Sequence, residues 1–230
     1  MDIETLPPDE ATWKVVRATV EDGVESKYKR QETIDARKEA AYRDCSLKGD
    51  FGRILCVGWI LEDNGGEIVA EGVFGWDEEK ACFTLDERRT LEEFWALVQR
   101  YGLEDGLIVG HNVFNFDLKF ILQRSVVHGV RPTAEWWFGR YRNNPIYDTM
   151  MEWSKWDMRD FVSLGRLAVA LGLPSSKSDE VSGDKVYDLF LDGRHEVIKD
   201  YCLADVRLTR HIYHRLMFSM TTAASVANAS

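Results

Sequence analysis

The longest apolar run in the chain, RILCVGWIL at 53–61, limits the architectures open to it. A run of this length is too short to span a bilayer. Bounded by Gly52 and the Asn64-Gly65-Gly66 turn, it reads as a strand covered on both faces rather than as an alternating, half-wet one. The segment 67–76 then reads as its antiparallel return, and Lys80 to Thr84 as a third, edge strand. A sheet with two apolar faces needs a layer of helices on each side.

The rest of the chain supplies those helices. Thr90 and Glu93 have the spacing of a capping box and predict a helix to Gly102, with Leu91, Phe94, Trp95 and Val98 on its apolar face. A buried strand is predicted over 107–112. A helix follows over 116–129, with Phe116, Phe120, Ile121 and Val127 inward and Gly129 closing it. A short strand over 146–150 and a helix over 163–172, capped by Ser163, come next. The last helices are predicted over 184–192 and 195–218. Before all of these, Met1 to Thr5 reads as a strand stopped by Pro7-Pro8, and 9–46 as a charged helical insertion. The pattern predicts one α/β domain over 1–218 with a mixed sheet, and residues 219–230 as a small, polar, frayed tail.

Composition narrows the setting. The chain has 230 residues and a net charge of −10. That charge lowers the prior for tight non-specific binding to nucleic acid, but it leaves room for a hydrolase whose acids are neutralised by metal. Cys45, Cys56, Cys82 and Cys202 form no CxxC pair, which argues against a zinc site and for reduced thiols. Acids and prolines follow Met1 directly, so no signal peptide is expected, and the chain reads as soluble and cytoplasmic. Lys27 to Arg43 carries six basic and three acidic side chains and reads either as a solvated helix face or as a basic flap over a substrate backbone.

Chemistry is carried by acids. Asp2 and Glu4, one residue apart on a strand, point to one face roughly 6.6 Å apart. Such a pair repels unless a cation lies between them, and hard cations such as Mg²⁺ or Mn²⁺ prefer oxygen ligands. Tyr201 and Asp205, at i and i+4, share one helix face. Asp117 opens a helix, where an acid also stabilises the N-terminus. Each of these patterns is weak alone.

Together, and in this order, MDIETLP, GHNVFNFDLKFI and YCLADVRLT resemble the three exonuclease motifs of the DnaQ-like superfamily. The tyrosine form of the third motif resembles the DEDDy branch. The fuller pattern, with FGRILCVGW, IYDT, SLGRLAVALGLP and DKVYDLF, is similar to the predicted exonucleases related to the proofreading domain of family-B DNA polymerases. The resemblance implies an RNase H-like fold with a five-stranded mixed sheet flanked by helices. It implies a 3′–5′ exonuclease using two divalent metal ions, Mg²⁺ or Mn²⁺. Asp2, Glu4 and Asp205 would hold one, Asp2 would help hold the second with Asp117 near it, and Tyr201 would orient the attacking water. Thr5, Leu6, Asn112 and Phe116 match positions at the substrate's 3′ end. The implied partner is a DNA 3′ end, preferably single-stranded, with RNA as the close alternative and a polymerase or repair protein as a further partner. The rival from another class is a catalytically weak module for nucleic-acid binding or assembly.

The chain departs from the family at its start, where only Met1 precedes the first acid. Either the polypeptide begins upstream or the first strand is poorly ordered. Among other groups, His211 and His214 at i, i+3 read as surface or partner-facing. His111, His128 and His195 show no ligand pattern, Trp136 and Trp137 read as packing or, with Arg140 and Arg142, as stacking groups and cations for nucleic acid, and Asp148 stands either near the site or as a turn cap.

Overall fold

The computed structural model describes residues 1–102, 106–174 and 182–219. The tail predicted from 219 lies outside them from residue 220 onward. Strand β1 (Asp2–Leu6) leads through helices α1 (Glu10–Val20), α2 (Val24–Lys27) and α3 (Gln31–Asp44) into β2 (Arg53–Glu62) and β3 (Ile68–Phe74). Short strands β4 (Trp76–Asp77) and β5 (Cys82–Phe83) precede α4 (Glu87–Arg100), β6 (Ile108–Gly110) and α5 (Asp117–His128). Strand β7 (Ile146–Asp148) is followed by α6 (Thr149–Ser154), α7 (Leu164–Ala170), α8 (Val186–Leu191) and α9 (His195–Leu216).

The apolar run is the middle of a sheet ordered β1-β2-β3, antiparallel throughout. Its two faces are both covered over 54–58, where alternate residues send their side chains to opposite layers, while Trp59, Ile60 and Leu61 are only half-buried. Ile3, Ile54 and Val57 pack against Leu91, Phe94 and Trp95 of α4 and Leu118 and Ile121 of α5. Leu6, Leu55 and Cys56 pack against Val186 and Leu189 of α8 and Ile198 and Cys202 of α9. The register breaks between Glu4, opposite Cys56, and Thr5, opposite Ile54. Leu55 is therefore the extra residue of a β-bulge, and it faces the α8–α9 layer with Cys56.

The first strand is ordered along its length, from Asp2 opposite Gly58 to Leu6 opposite Arg53, which corrects the expectation of a poorly ordered start. It is also held on its other edge. The Met1 amino group donates to the Val109 carbonyl at 2.7 Å, and the Ile3 N–H donates to Asp117 Oδ1 at 3.0 Å. Strands β6 and β7 pair in parallel, and β4 and β5 form an antiparallel ribbon. The described ladders are thus three small sheets rather than one five-stranded sheet, and the edge strand expected at 80–84 pairs with β4 instead.

Two other expectations change. Helix α4 starts at Glu87, capped by the Asp86 carboxylate on the Arg89 N–H at 3.0 Å, so Thr90 lies inside the helix with its hydroxyl on the Asp86 carbonyl. The earlier start brings Glu87 into the core. There its carboxylate accepts from Ile54 N–H at 2.8 Å, from the Arg124 guanidinium at 2.8 Å and from His128 at 2.7 Å. In α5 the buried face is Leu118, Phe120, Ile121, Arg124 and Ser125, while Val127 is exposed. The charged insertion buries only Ile34 and Cys45, and its cations Lys38 and Arg43 pair with Glu21, Glu25, Glu39 and Asp188, consistent with a solvated face. No helix among the described residues is long and apolar enough to cross a membrane.

Candidate active site

Three elements bring acids together. The pleat of β1 sends Asp2 and Glu4 toward α9, while Ile3 points to the opposite layer. Helix α9 presents Tyr201, Cys202 and Asp205 to the strand, all of them buried. Asp117, the first residue of α5, is fixed on the far edge of β1 by the Ile3 N–H, and only 3% of it is exposed. One oxygen each of Asp2 and Glu4 and the sulfur of Cys202 lie within 4.8 Å of one another.

The electrostatics are those of a cluster short of positive charge. Burial pushes the Asp2 carboxyl well above the usual carboxylate range, and Asp117 and Asp205 push it further. Glu4 is raised in the same way, by burial and then by Asp2. Asp117 is pushed up to about 7 by burial, against the pull of the Met1 amino group and of the N–H groups of its own helix start and of Ile3. The Tyr201 hydroxyl is raised by burial and by the neighbouring charges of Asp205 and Glu4. Glu4 is 7% exposed, yet among the described residues its carboxylate meets no hydrogen-bond donor and no cation. Burying a charge without a partner is costly, so an oxygen cluster of this kind fits a hard divalent metal.

The remaining candidates are placed as follows. The Thr5 hydroxyl donates to the Ser46 carbonyl at 2.7 Å. Leu6 is 1% exposed in the α8–α9 layer, so it offers a ligand backbone and no side chain. Asn112 sits in the left-handed region at φ 63°, half-buried, with its side-chain oxygen facing the Asn115 amide. Phe116, half-buried at the α5 N-cap, packs on Phe120 and lines a small cavity with Lys48, Lys119 and Gln123. Asp148, left outside the catalytic set, is a fastener. Its carboxylate accepts from the N–H groups of Asn112 and Phe114 in the loop before α5 and from Met150 and Met151 in α6. The turn-cap alternative matches that role, but the helix it caps, α6, starts inside the segment 146–150 expected as strand, so β7 ends at Asp148.

His211 is exposed as expected, but His214, expected on the surface, is buried where its ring bonds Glu62, so the two make no joint site. His111 is tied to Thr149 and the Val162 carbonyl, and Trp136 is core beside Trp95, whereas Trp137, expected to pack, is 76% exposed because its neighbour takes the core-facing position. The residue that sequence spacing missed is Cys202. Its nearness to Asp2 and Glu4 depends on how α9 crosses β1 and β2, which no local pattern encodes.

Asp2 and Glu4 of β1 lie within ligand distance of each other and of Cys202, with Asp117 and Asp205 near enough to raise the Asp2 carboxyl, and together they define an α/β protein with a candidate acidic metal-binding group. Residues 47–227 match the family described as predicted 3′–5′ exonucleases related to the exonuclease domain of PolB, and the chain belongs to that family. Membership points to a nuclease, with nucleic acid as its substrate class. Asp117, Tyr201 and Asp205 lie inside the matched span, and Asp2 and Glu4 precede it. No curated protein and no solved structure matches the chain.

Proposed function

We propose that this protein removes nucleotides from the 3′ end of DNA, preferably single-stranded, by metal-dependent hydrolysis of the terminal phosphodiester. The observation that supports this most is the pairing of β1 with β2, which seats Asp2 and Glu4 beside Asp205 of α9 and Asp117 of α5, inside the family that the match defines. Asp2, Glu4 and Asp205 would hold one Mg²⁺ or Mn²⁺, and Asp2 with Asp117 would serve the second. Bound there, such ions lower the pKa of water and stabilise the charge of an in-line displacement. Tyr201 orients the attacking water through its hydroxyl, which stays protonated across the working pH range because burial and neighbouring acids raise its pKa. Asn112 and Phe116 flank the entrance of α5 and are assigned to the terminal nucleotide, Phe116 as a stacking platform. The Met1 to Val109 bond brings β1 alongside β6, which supports an RNase H-like sheet ordered β3-β2-β1-β6-β7 in a single domain over 1–218.

The test is a 5′-labelled single-stranded DNA oligonucleotide incubated with Mn²⁺, Mg²⁺ or EDTA, beside the Asp117→Ala variant. A metal-dependent ladder shortening from the 3′ end, lost in the variant, is the expected result. Shortening of RNA in preference to DNA would transfer the assignment to an exoribonuclease. Degradation of neither would leave a nucleic-acid-binding module.

A further inference from the structure

The acid cluster contains a sulfur that oxygen-only metal chemistry does not use. Cys202 is fully buried, and its Sγ lies within 4.8 Å of an oxygen of Asp2 and an oxygen of Glu4. Its approach depends on Gly58, the residue opposite Asp2 in the β1–β2 ladder, because a Cβ on Gly58 would stand 2.6 Å from that sulfur. The bond from Cys202 Sγ to the Asp2 carbonyl is long, at 3.9 Å, and leaves the sulfur weakly engaged. Cys56, opposite Glu4 in the ladder, packs in the same layer as Cys202. Glu4, buried and without donor or cation among the described residues, faces the same point.

We propose that Asp2, Glu4 and Cys202 form a site for thiophilic divalent cations, Zn²⁺ or Cd²⁺, within the acid cluster. The inference rests on the metal-binding part of the proposed function. Mg²⁺ accepts oxygen ligands and keeps an octahedral shell, so it engages the carboxylates alone. Zn²⁺ takes oxygen and sulfur together in a tetrahedral set, commonly three protein ligands and one open position. Softer ions therefore gain a bond that Mg²⁺ cannot make, and they compete for the place where the hard ion acts. On binding, a metal–sulfur bond forms, the S–H bond breaks and the proton leaves to solvent; no electron is transferred.

The experiment uses the full chain, stripped of metal with EDTA, and titrates it with CdCl₂ while following the ultraviolet thiolate-to-cadmium charge-transfer absorption. The expected result is a saturable band at one ion per chain. In Cys202→Ser the band is lost and Cd²⁺ binding weakens at least about tenfold, while Mn²⁺ binding stays within about twofold. Cys45→Ser, which removes a buried thiol bonded to the Ala41 carbonyl, keeps the band. Cadmium NMR of the unsubstituted protein reads sulfur coordination directly, so a Cys202→Ser chain that fails to fold does not stall the test. A missing band, a band that survives Cys202→Ser, or an all-oxygen cadmium shift overturns the inference. If Mn²⁺ binding persists in that event, only the thiol site is refuted; if Mn²⁺ does not bind either, the proposed function falls with it.

Discussion

Removing metal should make this protein more stable in mild acid than in mild base, the reverse of what salt-bridged carboxylates produce. Asp117 has an ordinary value of 3.8 and, in the folded chain, is pushed up to about 7 by burial. A carboxyl whose folded pKa is raised supports the fold while protonated. That support is complete below its unfolded value and is lost as pH rises through about 7. Between about pH 5.5 and about pH 8 the lost stability from this group is roughly 2 kcal/mol by proton linkage. For a chain of this size that corresponds to a fall in Tm of about 4–8 °C. Asp2 and Glu4 are raised by the same causes and act in the same direction. His111 opposes them, since burial lowers its pKa and its contribution is lost as pH falls below the ordinary 6.5. Asp117→Asn keeps an acceptor for the Ile3 N–H and leaves His111 in place, so the difference between the two proteins reports Asp117 together with its charge couplings to Asp2 and the Met1 amino group. Thermal or urea unfolding in EDTA at both pH values is the assay. Wild type should lose roughly 2 kcal/mol more than Asp117→Asn on going to about pH 8, and saturating Mn²⁺ should restore it. Equal slopes for the two proteins, or a metal-free wild type that gains stability toward pH 8, would refute the reasoning.

Other substitutions separate structure from chemistry. Tyr201→Phe should retain the packing of α9, with nucleotide release slowed by about 10²-fold or more in single-turnover assays. Leu6→Ala should destabilise by about 2–5 kcal/mol in urea, because the side chain is fully buried between β1, β2 and α8. Glu87→Ala strands the buried Arg124 guanidinium and removes the acceptor for Ile54 N–H, at a cost of about 3–5 kcal/mol on the same assay. Asp148→Ala should lower hydrogen-exchange protection at Asn112, Phe114 and Met150 first, because those amides lose their common acceptor.

The legible part of this molecule is the part governed by local period. The run at 53–61 betrayed a strand, dry on both faces over 54–58, and Leu91, Phe94, Trp95 and Val98 betrayed one face of α4. The acids of β1 and the Tyr201–Asp205 pair are legible from spacing and motif order, while their grouping around metal follows only from the family resemblance and not from any local pattern. What escaped depended on distant partners. Thr90 fits a capping box as well as Asp86 fits a cap, and the choice is settled by Glu87, which must enter the helix to reach Arg124 in α5. Val127 was misplaced because polar Arg124 and Ser125 occupy the buried face of α5, which blurs its apolar period. Cys202 carries no motif of its own, and only the crossing of α9 over the strand gives it neighbours.

The bulge at Leu55 has a consequence for how such chains can diverge. Side chains along a strand alternate, so a one-residue slip would turn every carboxylate of β1 to the wrong face. Here the irregularity lies between Glu4 and Thr5, after the acids and before the strand runs into the α1–α3 insertion. It works as an expansion joint: a residue gained or dropped on the insertion side can be absorbed at Leu55 while Asp2 stays opposite Gly58 and Glu4 opposite Cys56. Relatives are therefore free to rebuild the helices over 9–46, and with them the surface above the acids, without relocating the acids themselves.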